Sequence, residues 1–291
     1  MHPLVRKLGL GAAQFGLESA TPGRGRPPEA EVREMLALAA RAGVGGLDAG
    51  AASAHGEAVI GAVIPRPTPF AVTIRAARGD RGPAHVDSAA RASLARLGLP
   101  RADAIVVQAA GDLFSPQGAA LWERLLDLRE AGLFARVGIC AYASDDPVGL
   151  ARRFKPDLIQ APASLLDQRL LIDGSLAAVR DLGVAVHLRS IFLHGLLFRP
   201  PARAPEVLSA ASARLSRARR MIAEGRSDPL QAALGFALSR PEADAVIVGA
   251  ATVAELAAVI AAAANPPPDL DWDEMALNDP DALTRRGWAA A

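Results

Sequence analysis

Gly45-Gly-Leu-Asp-Ala-Gly-Ala-Ala-Ser-Ala-His-Gly-Glu-Ala-Val-Ile-Gly61 reads as a short strand, a loop and a short helix. Asp48 stands where the strand gives way to the loop. Small residues and glycine follow it, and the chain turns apolar again only beyond Glu57. A carboxylate at such a junction either anchors a neighbouring cation or takes part in chemistry.

Working outward, the same strand-then-helix rhythm runs from end to end. Towards the N-terminus, Lys7–Gly11 reads as the first strand and Glu29–Ala42 as a helix. Val32, Met35, Leu36, Ala39 and Ala40 share one face of that helix, and Gly43 stops it. Val44–Asp48 is the second strand. Phe70–Arg75, Asp103–Gln108, Ala135–Cys140, Asp157–Gln160, Val184–Arg189 and Ala243–Val248 read as strands three to eight. Helices are expected over Val86–Leu97, Gly118–Ala131, Asp146–Phe154, Gln168–Leu182, Asp228–Ser239 and Thr252–Ala263. The rhythm pauses in a long connection, Phe192–Arg226, with a helical piece over Glu206–Glu224. A C-terminal tail opens at Asn265-Pro-Pro-Pro268. The strands are short and apolar without alternation, as parallel strands buried on both faces are. Eight strand–helix units in 291 residues predict one (β/α)8 TIM barrel domain of the α/β class. The alternative is an open doubly wound sheet. Gly9 and Gly11 supply two glycines of its dinucleotide fingerprint, but the third spacing is wrong and no helix is expected to start there.

Composition narrows the function. A net charge of +1 and a lack of basic residues interleaved with aromatics argue against a nucleic-acid surface. A single cysteine, Cys140, excludes an internal disulfide and fits a reducing compartment. No stretch reaches the roughly 18 apolar residues of a membrane span. The first residues lack the apolar core of a signal peptide. A cytoplasmic protein is expected. Metal-ligand spacings, a P-loop and a nucleophile elbow are all missing from the sequence.

Asp48, Glu57 and Gly61 stand at the spacing of the second strand and loop of the aldo-keto reductases. Leu8-Gly-Leu-Gly-Ala-Ala-Gln-Phe-Gly16 resembles that family's first strand and loop, in a bacterial branch carrying Gln-Phe-Gly. Leu158–Arg169 resembles its sixth strand, Arg189–Leu197 its loop after strand seven, and Val246–Thr252 its eighth strand. The resemblance runs nearly the whole length. It implies a barrel with its pocket at the C-terminal ends of the strands, reducing carbonyls with hydride from NADP(H).

The same resemblance assigns four catalytic positions: a Tyr that donates the proton, a Lys that lowers its pKa, an Asp that holds the Lys, and a His that orients the carbonyl. Asp48 matches the Asp. Ser53 stands for the Tyr, Arg75 for the Lys and Gln108 for the His. An aliphatic hydroxyl is a poor and short proton donor. Arg stays protonated but can fork onto Asp48. An amide orients an oxygen without titrating. Tyr142, the one tyrosine, lies just past strand five. Lys7 and Lys155, the two lysines, lie at the other end of the barrel. No residue of the same type is therefore placed to stand in. His55, two residues after Ser53, is a candidate surrogate acid, and His194, after strand seven, is another. His187, on strand seven, reads as a packed residue.

For the cofactor, the resemblance implies contacts from Gly11, Gln160, Ser190, Leu193, Gly195, Leu196, Gly249 and Ala250. Gln160 would hold the nicotinamide amide. Cys140-Ala141 stands where the family has Ser-Asn. The family's Lys, Ser, Arg and Asn after strand eight grip the 2′-phosphate and adenine, yet Gly249–Ala264 contains no Lys, Arg or Asn. Arg24, Arg26, Arg199 or the stretch Arg214–Arg220 are alternative sources of charge. That stretch reads otherwise as a solvated helix face.

Three functions are expected to compete. One is a diverged enzyme with altered, weak or lost NADPH-dependent reduction that keeps a small-molecule pocket at the barrel mouth. Another is an inactive pseudoenzyme that binds or assembles with a protein partner. The third is an ordinary NADPH oxidoreductase with relocated residues.

Overall fold

The protein, described as a computed structural model over residues 2–16, 26–49, 53–198, 211–267, 270–277 and 283, forms its elements in strict strand–helix order. In chain order these are α1 (Pro3–Arg6), β1 (Leu8–Gly11), α2 (Ala13–Gly16), α3 (Glu29–Ala42), β2 (Gly46–Asp48), α4 (Ala54–Val63), β3 (Ala71–Arg75) and α5 (Pro83–Leu97). Then follow β4 (Ala102–Val107), α6 (Gly118–Glu130), β5 (Phe134–Cys140), α7 (Pro147–Phe154) and β6 (Leu158–Pro162). The last are α8 (Arg169–Ile172), α9 (Ser175–Asp181), β7 (Ala185–Arg189), α10 (Ser212–Glu224), α11 (Pro229–Ser239), β8 (Ala245–Gly249) and α12 (Val253–Ala264). Neighbouring strands pair in parallel, and β8 pairs with β1 through Leu8 to Val246 and Gly11 to Gly249. The sheet is thus a closed barrel, the TIM-barrel architecture the sequence predicts.

Local chemistry sets the element ends. Gly43 caps α3 at φ 83°, a left-handed conformation that glycine adopts freely. The helical face predicted from spacing is the buried one, with Val32, Met35, Leu36 and Ala39 in the core. Asp228 accepts from the amides of Leu230 and Gln231 and starts α11. On α4, Glu57 is buried and accepts from Arg96 Nε of α5 at 2.6 Å. One turn later, a Cβ on Gly61 would fall 2.0 Å from the Arg96 carbonyl oxygen. Glu57 and Gly61 therefore lock α4 against α5.

The structure departs from the sequence expectations in its helices. Gln168–Leu182 is not one helix: Gly174, at φ 76°, separates α8 from α9. A single helical turn, α2, does form after β1, where none was expected. The C-terminal tail packs onto the barrel. Gln168 Nε2 donates to the Trp272 carbonyl at 2.6 Å, Leu277 N–H to the Leu166 carbonyl at 2.8 Å, and the Trp272 ring meets Phe236. The helical piece expected over Glu206–Glu224 is described from Ser212 as α10, and its first residues lie outside the described residues. Among the described residues, no helix is long and apolar enough to cross a membrane.

Candidate active site

The C-terminal strand ends gather the polar groups. Asp48 closes β2, Arg75 closes β3, Cys140 closes β5, Gln160 lies in β6 and Arg189 closes β7. Four of these side chains form a ring. Asp48 Oδ2 accepts from Arg75 Nη2 at 3.1 Å and from Gln160 Nε2 at 3.1 Å. Arg75 Nη1 donates to Cys140 Sγ at 2.8 Å, and Cys140 Sγ donates to Gln160 Oε1 at 3.4 Å. Each of the four side chains is bonded to two others of the ring. Arg189 also lies against the thiol, and its guanidinium stacks 4.4 Å from the centre of the Tyr142 ring. Tyr142 is half-exposed at the mouth.

Electrostatics act on Arg75 and Cys140 in the ring. Burial pulls the Arg75 guanidinium down. The Asp48 charge, the Cys140 thiol and the Asp48 hydrogen bond more than offset this, so its pKa is raised. Burial pushes the Cys140 thiol up, against the pull of Arg75 and Arg189, so the sulfur stays protonated at neutral pH. Around the ring, two guanidinium groups, Arg75 and Arg189, thus lie near the Asp48 carboxylate. The Nε–H groups of both arginines are buried without a partner.

The other candidates fall elsewhere. Ser53 is the N-cap of α4: its Oγ accepts from the Gly56 amide at 3.3 Å and donates to the Gly16 carbonyl at 3.0 Å. That hydroxyl is occupied by fold contacts. His55 is in the first turn of α4 rather than in a loop, and it is exposed. Gln108 lies one residue past β4, exposed, with no hydrogen bond to a described residue. His187 is buried lower in the barrel. The side chain of His194 lies outside the described residues, as do Arg24 and Arg199. No group of three or more metal-ligating side chains occurs among the described residues.

At the cofactor positions the loop after β7 is bent sharply. Ser190 (φ 59°) and Leu193 (φ 41°) are left-handed without being glycine, and Leu193 N–H closes a turn onto the Ser190 carbonyl at 2.8 Å. Backbone strain of this kind clusters at ligand clamps. Arg219 of α10 ties the loop down by donating from Nη2 to the Leu196 carbonyl at 3.0 Å. The Arg214–Arg220 stretch is thus a solvated face at Arg214, Arg217 and Arg220, and a loop anchor at Arg219. Gly11 sits between Asp48 and Gly249 in strand register. Gln14 lies over the end of β8, where a Cβ at 249 would meet its Nε2 at 2.6 Å. Ala250 is buried.

Beyond β8, two carboxylates hold the start of α12. Glu255 Oε2 accepts from the Ala251 amide at 2.8 Å, and Glu31 Oε1, from α3, accepts from the Val253 amide at 2.7 Å. Thr252 Oγ1 accepts from the Glu255 amide at 3.1 Å. Sequence reasoning missed both acids. The Thr252-x-x-Glu255 spacing is a helix-capping signature that points to Glu255. No local signal exists for Glu31, which arrives from the far end of the chain.

The aldo/keto reductase family profile matches residues 7–277. The chain belongs to the aldo/keto reductase family. An aldo-keto reductase of Mycolicibacterium smegmatis is 31% identical over 128 residues, spanning 43% of this chain and 44% of that protein. The aligned part is therefore less than half of either chain. Among solved structures, aldo-keto reductase AKR11C1 of Bacillus halodurans is similar in fold. Its apo form has a TM-score of 0.73 at 20% identity, covering 92% of this chain and 90% of that one. Its holo form has the same TM-score at 21% identity, covering 90% and 88%.

Proposed function

We propose that this member of the aldo/keto reductase family has weak or lost NADPH-dependent carbonyl reduction. Its C-terminal mouth instead holds a small anionic molecule bearing a carbonyl or carboxylate. The observation that carries this is the closed ring of Asp48, Arg75, Cys140 and Gln160. In it the family's lysine position is an arginine bonded to both Asp48 and a thiol. No phenol stands at Ser53, and the Ser53 hydroxyl is a helix cap.

Family members generally bind NADP(H). The residues present here do not fit it. Gln160, which the family uses for the nicotinamide amide, has its nitrogen on Asp48 and its oxygen on Cys140. At α12, where the family grips the 2′-phosphate, Glu31 and Glu255 already accept the free amides, and a dianion would be repelled. What remains is a mouth with two guanidinium groups against one carboxylate. Arg189, over the Tyr142 ring, presents a planar fork suited to a carboxylate or a polarised carbonyl oxygen.

The test is the melting temperature with and without saturating NADPH, NADP and NADH, together with a carbonyl-reduction assay. A ligand at 100 times its dissociation constant adds about 2.7 kcal/mol, a shift of several degrees. No shift at millimolar cofactor and no reduction are expected. A clear shift with turnover would overturn the reading and favour relocated catalytic residues.

A further inference from the structure

TIM-barrel interiors are ordinarily filled by layers of Val, Ile and Leu. The N-terminal half of this barrel is not. Its wall there includes Gly9 of β1, Gly46 of β2, Ala71 of β3 and Ala245 of β8. These residues surround a cavity of about 510 Å³, within the range of small-molecule sites. It opens past Lys7, Gly45 and Pro69 at the strand N-termini and reaches up to Asp48. Ala71 is exposed into it, although it sits in a barrel strand. Of the ring at the mouth, Asp48 alone borders this space, which extends to the opposite end of the barrel.

Two observations describe what the cavity presents to a ligand. His187 of β7 lines it and is 8% exposed, yet it makes no hydrogen bond to a described residue. Burial, then Arg136, holds its imidazole down to a pKa of about 4, so at neutral pH it offers one donor and one acceptor. Buried Thr73 lines the same space, and its hydroxyl likewise has no partner among the described residues. With no such partner, both groups are open to whatever fills the cavity. The second observation is charge. Asp103 pairs with Arg136, Asp244 with Arg180 at 2.8 Å, and Asp48 with Arg75 at 3.1 Å. Arg6 and Lys7, at the rim, have no ion pair among the described residues. Each carboxylate that lines the cavity is thus paired with an arginine, and Arg6 and Lys7 leave its rim positive.

We infer that the N-terminal end of the barrel is a second binding site, for a small hydroxylated organic acid. Its carboxylate faces Arg6 and Lys7, and its hydroxyls face His187 and Thr73. Asp48 forms the roof of this site while it anchors Arg75 above, so the two ends of the barrel share one carboxylate.

The experiment is histidine-ring NMR of the full chain, with the His187 signal assigned by its loss in His187→Gln. The probes are D-gluconate and the uncharged polyol sorbitol. Gluconate is expected to shift the His187 signal saturably, and sorbitol to bind roughly tenfold more weakly. Lys7→Ala is expected to abolish that preference. Ala71→Leu, which fills the cavity, is expected to melt no lower than the parent and to lose the gluconate shift. Ala245→Leu serves as the second filling variant if Ala71→Leu does not fold. No shift with either probe at millimolar concentration, or a shift that survives in a folded filling variant, overturns the site.

Discussion

Arg75 and His187 show how one barrel position changes meaning with its neighbours. An ammonium beside Asp48 would be a compact charge able to act on a nearby phenol. The guanidinium is a fixed fork, with one tine on Asp48 and the other on Cys140. It locks the carboxylate and thiol together and has no phenol to activate. His187 is the opposite case, a group kept uncharged by burial. Its folded pKa is about 4 against 6.5 when unfolded. Between these values the unfolded chain binds a proton that the folded chain does not. Stability should therefore be full above pH 6.5 and fall as the pH drops towards 4, by up to about 3 kcal/mol. Urea unfolding of the parent and of His187→Gln across pH 7 to 4 checks this. The variant's curve should be flatter by that amount, and parallel curves would remove the linkage.

At the scale of elements, the α4–α5 contact explains a motif. Glu57 and Gly61 are the two residues of the opening stretch that keep family spacing beyond Asp48, and both face α5. Gly61→Ala should destabilise by about 1–3 kcal/mol, since its Cβ would meet a backbone carbonyl that cannot rotate away. Thermal unfolding measures it, and an unchanged midpoint would show that the helices separate freely. Strands and most helices were legible because their signals are local: apolar runs bounded by glycine, and a 3.6-residue face such as Val32 to Ala39. The break at Gly174 was not, because an apolar pattern continues across it and only its left-handed backbone ends α8. The role of Ser53 was half legible. Its place before a helix signals a cap, but its bond to the Gly16 carbonyl joins residues 37 apart.

For the whole molecule, the sequence placed Asp48, Arg75, Cys140 and Gln160 at strand ends, and closing the barrel brings them together. It did not show that Gln160 turns its amide onto Asp48, a contact across 112 residues. Nor did it show Arg189 on Tyr142, or a hollow lower half, since inward-facing glycines read as any other strand glycine. Side-chain direction in a closed sheet depends on register, which no local window contains. The Glu31 carboxylate on the Val253 amide spans 222 residues and fastens α3 to α12 beside the seam where β8 meets β1. Such a clasp sets the order of assembly. Its loop-closure cost is met only after the intervening units are in place, so it should be missing from the folding transition state. Glu31→Ala should then leave the refolding rate unchanged and speed unfolding by roughly tenfold for each 1.4 kcal/mol lost. Stopped-flow unfolding and refolding would read both limbs, and slowed refolding would mean the ring closes early. If the clasp is late, the barrel opens first at this seam, and the rate at which Glu31 lets go governs how long the closed form lasts.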